Sequence, residues 1–223
     1  MPRTAPAAPV ATRSTAPATA PAAAPATASA TASGTARQRV LDAAFGLFYA
    51  RGIRAVGVDL IIAESGVAKA TFYKYFPAKD DLVVAYLDVV DEVWSRQLHE
   101  AAEAAGPAPA DQMVGLFDAL AHACRREGYR GCGFINAAAE STPGSRVHDR
   151  TVAHKTAVRD WVRGLAAAAG ADDPDELARG LTLLLDGGLA SGALDASPEV
   201  PEIAKTSARA LVDLAVGRTA QRS

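Results

Sequence analysis

From Thr35 to the C-terminus, apolar side chains recur at three- and four-residue intervals, and no segment sustains the alternation of a half-buried strand. The pattern predicts an all-α chain. Thr35 stands three residues before Gln38, the spacing of a capping box in which the Thr hydroxyl accepts from the Gln38 amide and the Gln38 side chain reaches back. A first helix over about 37–51 follows, with Val40, Leu41, Ala44, Leu47 and Phe48 on one face and Gly52 suited to a left-handed terminus. Residues 58–65, VDLIIAES, read equally well as a strand until the sequel is considered. Gly66, then AKATFYKYF, then Pro77 make two brief helices across a tight turn, a helix-turn-helix.

Beyond Lys79 the elements lengthen. Leu82, Tyr86, Val90, Val93 and Trp94 predict a helix of about 40 Å running to Ala105 and the Gly106-Pro107 stop. Met113, Leu116, Phe117, Leu120, Ala121 and Cys124 form a regular helical stripe. A short helix holds FINAAAE, and another covers about 146–169 with Val158, Trp161, Val162 and Leu165 inward. Pro174 opens a helix over about 174–194, Leu-rich almost all round, and a last one spans about 199–216. Gly187, Gly188 and Gly192 weaken the 174–194 helix by roughly 1 kcal/mol each relative to Ala, so they predict close approach of another backbone. With the Leu surplus they point to homodimer packing through about 174–194 and 199–216, the alternative being packing on 146–169 of the same chain.

Composition changes the picture at the N-terminus. Residues 1–36 hold 15 Ala, 6 Pro, 7 Thr and 3 Ser, too little apolar surface to offset the entropy of ordering. The organisation expected is a disordered tail over 1–36, a small helix-turn-helix unit over 37–82 and a larger helical unit over 83–223. Residues 1–82 carry nine Lys and Arg against five acids, and 83–223 carry 14 against 20. A basic unit joined to an acidic body suits a nucleic-acid reader attached to a ligand- or partner-facing part.

Several classes are excluded. No run of eighteen apolar residues occurs and the N-terminus lacks a secretory apolar stretch, so a cytoplasmic protein with no membrane partner is expected; Pro17, Pro21 and Pro25 interrupt any amphipathic transit helix. Cys124 and Cys132 read as structural thiols rather than a disulfide or a redox sensor. His99, His122, His148 and His154 lack metal-ligand spacing, and no metal or cofactor is expected. GCGFIN at 131–136 lacks the third Gly of a dinucleotide fingerprint, and no nucleophile elbow or P-loop is present, so no catalytic residues and no enzyme are predicted.

Function concentrates in residues 67–82, VAKATFYKYFPAKDDL. In a helix over 69–76, Phe72 and Phe76 share one face and, with Val67, form the packing side. The opposite side presents Lys69, Ala70, Tyr73 and Lys74, and no acid interrupts residues 65–79. Short side chains let backbone approach base edges, Lys donates to guanine acceptors, and Ala70 or the Thr71 methyl suits a thymine methyl. Tyr hydroxyls, Lys79 and the amides opening the next helix are suited to phosphates.

These residues resemble the tetracycline-repressor (TetR) family of one-component bacterial transcription regulators. The resemblance runs from about Gln38 to Tyr86, through Ala43, Ala44, Leu47 and Phe48, then Gly52, then IIAESGVAKATFYKYFPAKDDL. RGCGFINAAAE at 130–140 is similar to a segment of one branch of that family. The resemblance implies a three-helix DNA-binding unit, a larger helical domain with a ligand pocket, and a homodimer built by the last two long helices. It places Lys69, Ala70, Thr71 and Lys74 at groove-facing positions and Tyr73, Tyr75 and Lys79 at phosphate-contacting ones. Gly57 and Ala68 depart from the family pattern by removing hydroxyls that cap or touch phosphate, and Leu60 stands where a polar residue is common.

For a small-molecule cavity the candidates are Trp94, Phe117, Leu120, Cys124, Phe134, Asn136, Glu140 and Trp161, apolar walls with a few polar groups. Asn136 and Glu140 share a helix face and either orient a ligand or bond to a neighbouring backbone. The expected function is a ligand-responsive regulator, a repressor that leaves a pseudo-palindromic double-stranded operator when an unknown effector binds. The alternative is a helical scaffold whose basic face meets another anionic partner.

Overall fold

The computed structural model describes residues 34–195 and 197–220, so the expected 1–36 tail lies almost wholly outside the described residues. Among the described residues there are nine helices and no strand: α1 (Ala36–Arg51), α2 (Val58–Ser65), α3 (Lys69–Tyr75), α4 (Lys79–Ala104), α5 (Pro109–Cys124), α6 (Gly133–Glu140), α7 (Arg146–Ala168), α8 (Pro174–Asp195) and α9 (Glu199–Ala220).

Local chemistry accounts for most boundaries. Thr35 Oγ1 accepts from the Gln38 amide at 3.2 Å, as its spacing predicts. The reciprocal half of the capping box is not made, because Gln38 Nε2 donates to Asp42 Oδ1 at 2.8 Å, one turn further on. Gly52 is not the left-handed terminus expected: its φ is 84° but its ψ of 158° is extended, which throws the chain away from α1. Gly66 does take the left-handed conformation, φ 62° and ψ 25°, and this sharp reversal between α2 and α3 needs a residue without Cβ.

The core is centred on α5, where Met113, Leu116, Phe117 and Leu120 are all essentially inaccessible. Helices α4, α7, α8 and α9 pack around it. Two of the α8 glycines face this helix rather than a second chain or residues 146–169. A Cβ on Gly188 would stand 2.5 Å from Leu120 Cδ2, and one on Gly192 would stand 2.5 Å from Cys124 Sγ, while nothing lies within 4 Å of one on Gly187. Gly188 and Gly192 therefore answer to side chains of α5. The Leu surplus on α8 divides: Leu181 and Leu185 are buried, Leu184 is half-buried, and Leu183 is 75% exposed. Leu194, Ile203 and Leu211 are likewise exposed on α8 and α9.

Helices α4 and α7 are tied by charge. Arg146 pairs with Asp81, and Arg150 reaches Asp88 Oδ1 and Asp91 Oδ2, both at 2.6 Å. One turn on, His154 Nδ1 meets Asp91 Oδ1 at 2.6 Å, its ring stacked on Phe134 at 3.8 Å between centroids.

Candidate functional site

Helix α3 is held by its apolar side. Phe72 is fully buried and Val67, Phe76 and Ile61 nearly so, with the Phe72 and Phe76 rings 6.0 Å apart. Anchoring on that face turns the other outward: Lys69, Ala70, Tyr73, Lys74 and Tyr75 are exposed and Thr71 is half-buried. The site residues expected on α3 thus share one helix, with Thr71 at the edge of the exposed face. Neither Gly57 nor Ala68 supplies a side-chain cap to the helix it precedes. Leu60 lies on the outer face of α2, 36% exposed, and contributes no buried contact to explain it.

Two of the cations are already engaged. Lys69 Nζ lies 3.2 Å from Asp59 Oδ1, and that hydrogen bond together with the carboxylate charge raises the Lys69 pKa. Lys79 is half-buried, and the phosphate contact expected of it competes with a bond it already makes. It turns inward, donates to the Ile53 carbonyl and lies over the Phe48 ring, and burial lowers its pKa. The start of α4 is likewise occupied, since Asp81 Oδ2 accepts from the Ala78 amide at 2.9 Å and so competes with any phosphate there. Lys74 and the two tyrosines keep the clearest outward path.

A second feature lies between α1, α4, α5, α8 and the segment leading into α6. It is a cavity of about 80 Å³ whose walls include Phe45, Tyr49, Trp94, Tyr129, Cys132 and Phe134. Of the pocket residues expected from sequence, it brings together Trp94 and Phe134. Phe117 and Leu120 are sealed in the core instead, because the α5 stripe that made them candidates is the face all other helices cover. Cys124 is drawn toward Gly192 and Tyr129, and burial raises its thiol pKa. Trp161 stacks on His99, 3.9 Å between centroids, at the α4–α7 contact. Asn136 and Glu140 border a separate, more open hollow with Phe48, Tyr49, Tyr129 and Arg130, and both also bond to backbone, Asn136 Nδ2 to the Arg130 carbonyl at 2.9 Å and Glu140 to the amides of Ile53 and Arg54.

Sequence reasoning missed Phe45, Tyr49, Tyr129 and Cys132. They come from α1 and from the loop before α6, so no single stretch carries their pattern. Tyr49 accepts from the Arg130 amide at 2.9 Å and Tyr129 donates to the Leu189 carbonyl at 2.8 Å, which fixes both phenols at the cavity edge. Cys132 Sγ receives Lys155 Nζ at 3.7 Å, and both cysteines are free thiols. Among the described residues no cluster could hold a metal ion, and no helix is long and apolar enough to cross a membrane.

Comparison with known proteins places this geometry in context. Residues 40–86, which contain the α2-turn-α3 unit, match the model of the bacterial regulatory proteins of the tetR family. The chain is 30% identical over 176 residues to the transcriptional regulator AcuR of Cereibacter sphaeroides, covering 74% of this chain and 79% of that protein. It is 25% identical over 159 residues to the HTH-type transcriptional regulator YjdC of Escherichia coli, covering 68% of this chain and 80% of that one. The crystal structure of a TetR-family transcriptional regulator from Streptomyces coelicolor superimposes with a TM-score of 0.71 at 37% identity, covering 82% of this chain and 95% of the other.

Proposed function

Since the chain belongs to the tetR family of bacterial regulatory proteins, and is therefore a DNA-binding transcriptional regulator and not an enzyme, we propose that it is a ligand-responsive repressor acting as a homodimer on a pseudo-palindromic operator. The observation that carries this reading is the exposed face of α3, with Lys69, Ala70, Thr71 and Lys74 toward base edges and Tyr73 and Tyr75 toward phosphates, on a helix whose other face is anchored by Phe72 and Phe76. In this reading Lys79 orders the start of α4 and reaches phosphate only by leaving Ile53.

The homodimer is supported by the exposed apolar side chains of Leu183, Leu194, Ile203 and Leu211 on α8 and α9. A two-fold pairing of α8 and α9 buries them and sets two α3 helices at a fixed separation, as reading two half-sites requires. The reading divides the chain into a DNA-binding unit over 37–82 and a regulatory unit over 83–223, joined by α4. The aromatic cavity supports a small, flat, largely apolar effector. Such a molecule shifts the operator equilibrium only by its differential affinity for the two states of the dimer.

The test is selection of binding sites from a random duplex library with the full chain at two salt concentrations. An enriched palindrome with half-sites about one turn or a multiple of it apart is the expected result. Salt-sensitive retention without enrichment would refute operator recognition and favour a merely electrostatic anion-binding face.

A further inference from the structure

Glu140 ends α6, and its carboxylate grips the link between α1 and α2. Oε1 accepts from the Ile53 amide at 3.1 Å and Oε2 from the Arg54 amide at 2.6 Å, while Arg54 Nε donates back to the Glu140 carbonyl at 2.9 Å. Gly52 admits the carboxylate: its φ is 84°, and a Cβ there would stand 2.9 Å from Oε1. Lys79 holds the Ile53 carbonyl from the other side. Bonds from two backbone amides to one carboxylate are charge-assisted and stronger than neutral ones. The segment that positions α2 is therefore fixed by a side chain 86 residues away in sequence.

The opposite end of the same helix borders the cavity through Cys132, Gly133 and Phe134. The cavity, about 80 Å³, opens toward solvent and is smaller than the roughly 150 Å³ that admits benzene, so an organic effector seated fully inside it displaces a wall. Helices α5 and α8 bury side chains along their whole length, and α4 does so on either side of its cavity-facing stretch, at Leu82 to Leu87 and at Leu98 and Ala102. Helix α6 has eight residues and buries only Phe134 and Ala137, between Gly131 at φ 80° and Gly144 at φ 77°. Among α4, α5, α6 and α8 it is the wall held by the fewest buried side chains.

The geometry points to Glu140 as the residue that couples the cavity to the DNA-reading unit: filling the cavity displaces α6, withdraws the carboxylate from the Ile53 and Arg54 amides, and releases α2 and α3 from their fixed position. This rests on the effector-responsive reading above. Glu140 touches neither the cavity nor the exposed face of α3, so it is a positioning residue.

The cavity is filled by substitution in the full-length protein, with no effector needed. Ala123→Leu fills it from α5, and Gly133→Ala wedges α6 from α4, its Cβ 3.1 Å from Tyr86 Oη. Two fillers of different size guard against one failing to fold. Each is made alone and with Glu140→Ala, then measured for affinity to the enriched duplex and for hydrogen exchange at the Ile53 and Arg54 amides. With Glu140 present, a filler is expected to weaken duplex binding about tenfold and to speed exchange at both amides. Combined with Glu140→Ala, it changes binding by less than about twofold. Equal losses with and without Glu140, or amides that stay protected in the filled protein, would overturn the proposal. Loss of all sequence-specific binding by the wild type would instead overturn the regulator reading, and the exchange data would still decide whether the carboxylate lets go.

Discussion

His154 provides a test of whether burial or a neighbouring carboxylate governs the α4–α7 contact. The residue is 1% exposed, and Nε2 has no hydrogen-bond partner among the described residues. Protonation would create a second N–H with nothing to accept it, a cost of about 1–3 kcal/mol for an unsatisfied buried group. Asp91, 2.6 Å from Nδ1, favours the charged ring, but its carboxylate is shared with Arg150 and Ser95, and Arg150 and Lys155 add positive charge nearby. Burial therefore prevails and lowers the His154 pKa below the ordinary 6.5. Because the native state binds this proton less readily than the unfolded chain, the stability His154 contributes is fully present above pH 6.5. It is lost as pH falls from there toward the native pKa. One proton is at stake, so the loss reaches at most about 1.4 kcal/mol per pH unit. The assay is urea unfolding from pH 8 to pH 5 of the wild type and of His154→Gln. The difference between the two is expected to be constant above about pH 7 and to move against the wild type below pH 6.5. Parallel curves throughout would show that burial and Asp91 cancel, and a wild type that gains as pH falls would show that Asp91 dominates and favours the imidazolium. Asp91 does not confuse the window: although burial opposes it, bonds from Arg150, His154 and Ser95 hold its pKa below 3.8, so its own contribution is lost only at lower pH.

Three further outcomes follow from the same geometry. Lys74→Ala is expected to cost about 1–3 kcal/mol of discrimination at one base pair, read by competition between the selected operator and point variants, whereas a uniform loss across sequences would mark Lys74 as a phosphate contact. Paired Leu183→Asp and Leu194→Asp substitutions, at positions 75% and 84% exposed, should retain the helical content and shift sedimentation to a 22.9 kDa species, with a lower thermal transition as the stabilisation by association is lost; an unchanged dimer would place the interface elsewhere. Gly192→Ala sets a Cβ 2.5 Å from Cys124 Sγ and should destabilise by about 1–3 kcal/mol in urea, with most of the loss recovered when Cys124→Ala removes the sulfur, and equal losses in both backgrounds would contradict this packing.

The DNA-reading unit was legible because its determinants are local. Thr35, Gly66, the Phe72–Phe76 pair and the acid-free run to Lys79 lie within one stretch, and helical period alone decides which of those side chains point out. The same locality explains the errors. Gln38 bonded one turn forward instead of back to its cap, and Lys79, an exposed cation by pattern, was captured by a carbonyl that only the folded α1–α2 link brings near.

Periodicity and turn residues were enough for the helical class, the position of the turn and the outward face of α3, and the local motif was enough for the family. Tertiary structure alone decided what each long helix meets: α5 became the hub that seals Phe117 and Leu120, the α8 glycines answered to Leu120 and Cys124, and the cavity drew Phe45, Tyr49, Trp94 and Tyr129 from separate elements. The reason is that periodicity reports which face of a helix is buried but not against what. Partners such as Glu140 and the Ile53 and Arg54 amides, more than eighty residues apart, are chosen only when the helices pack.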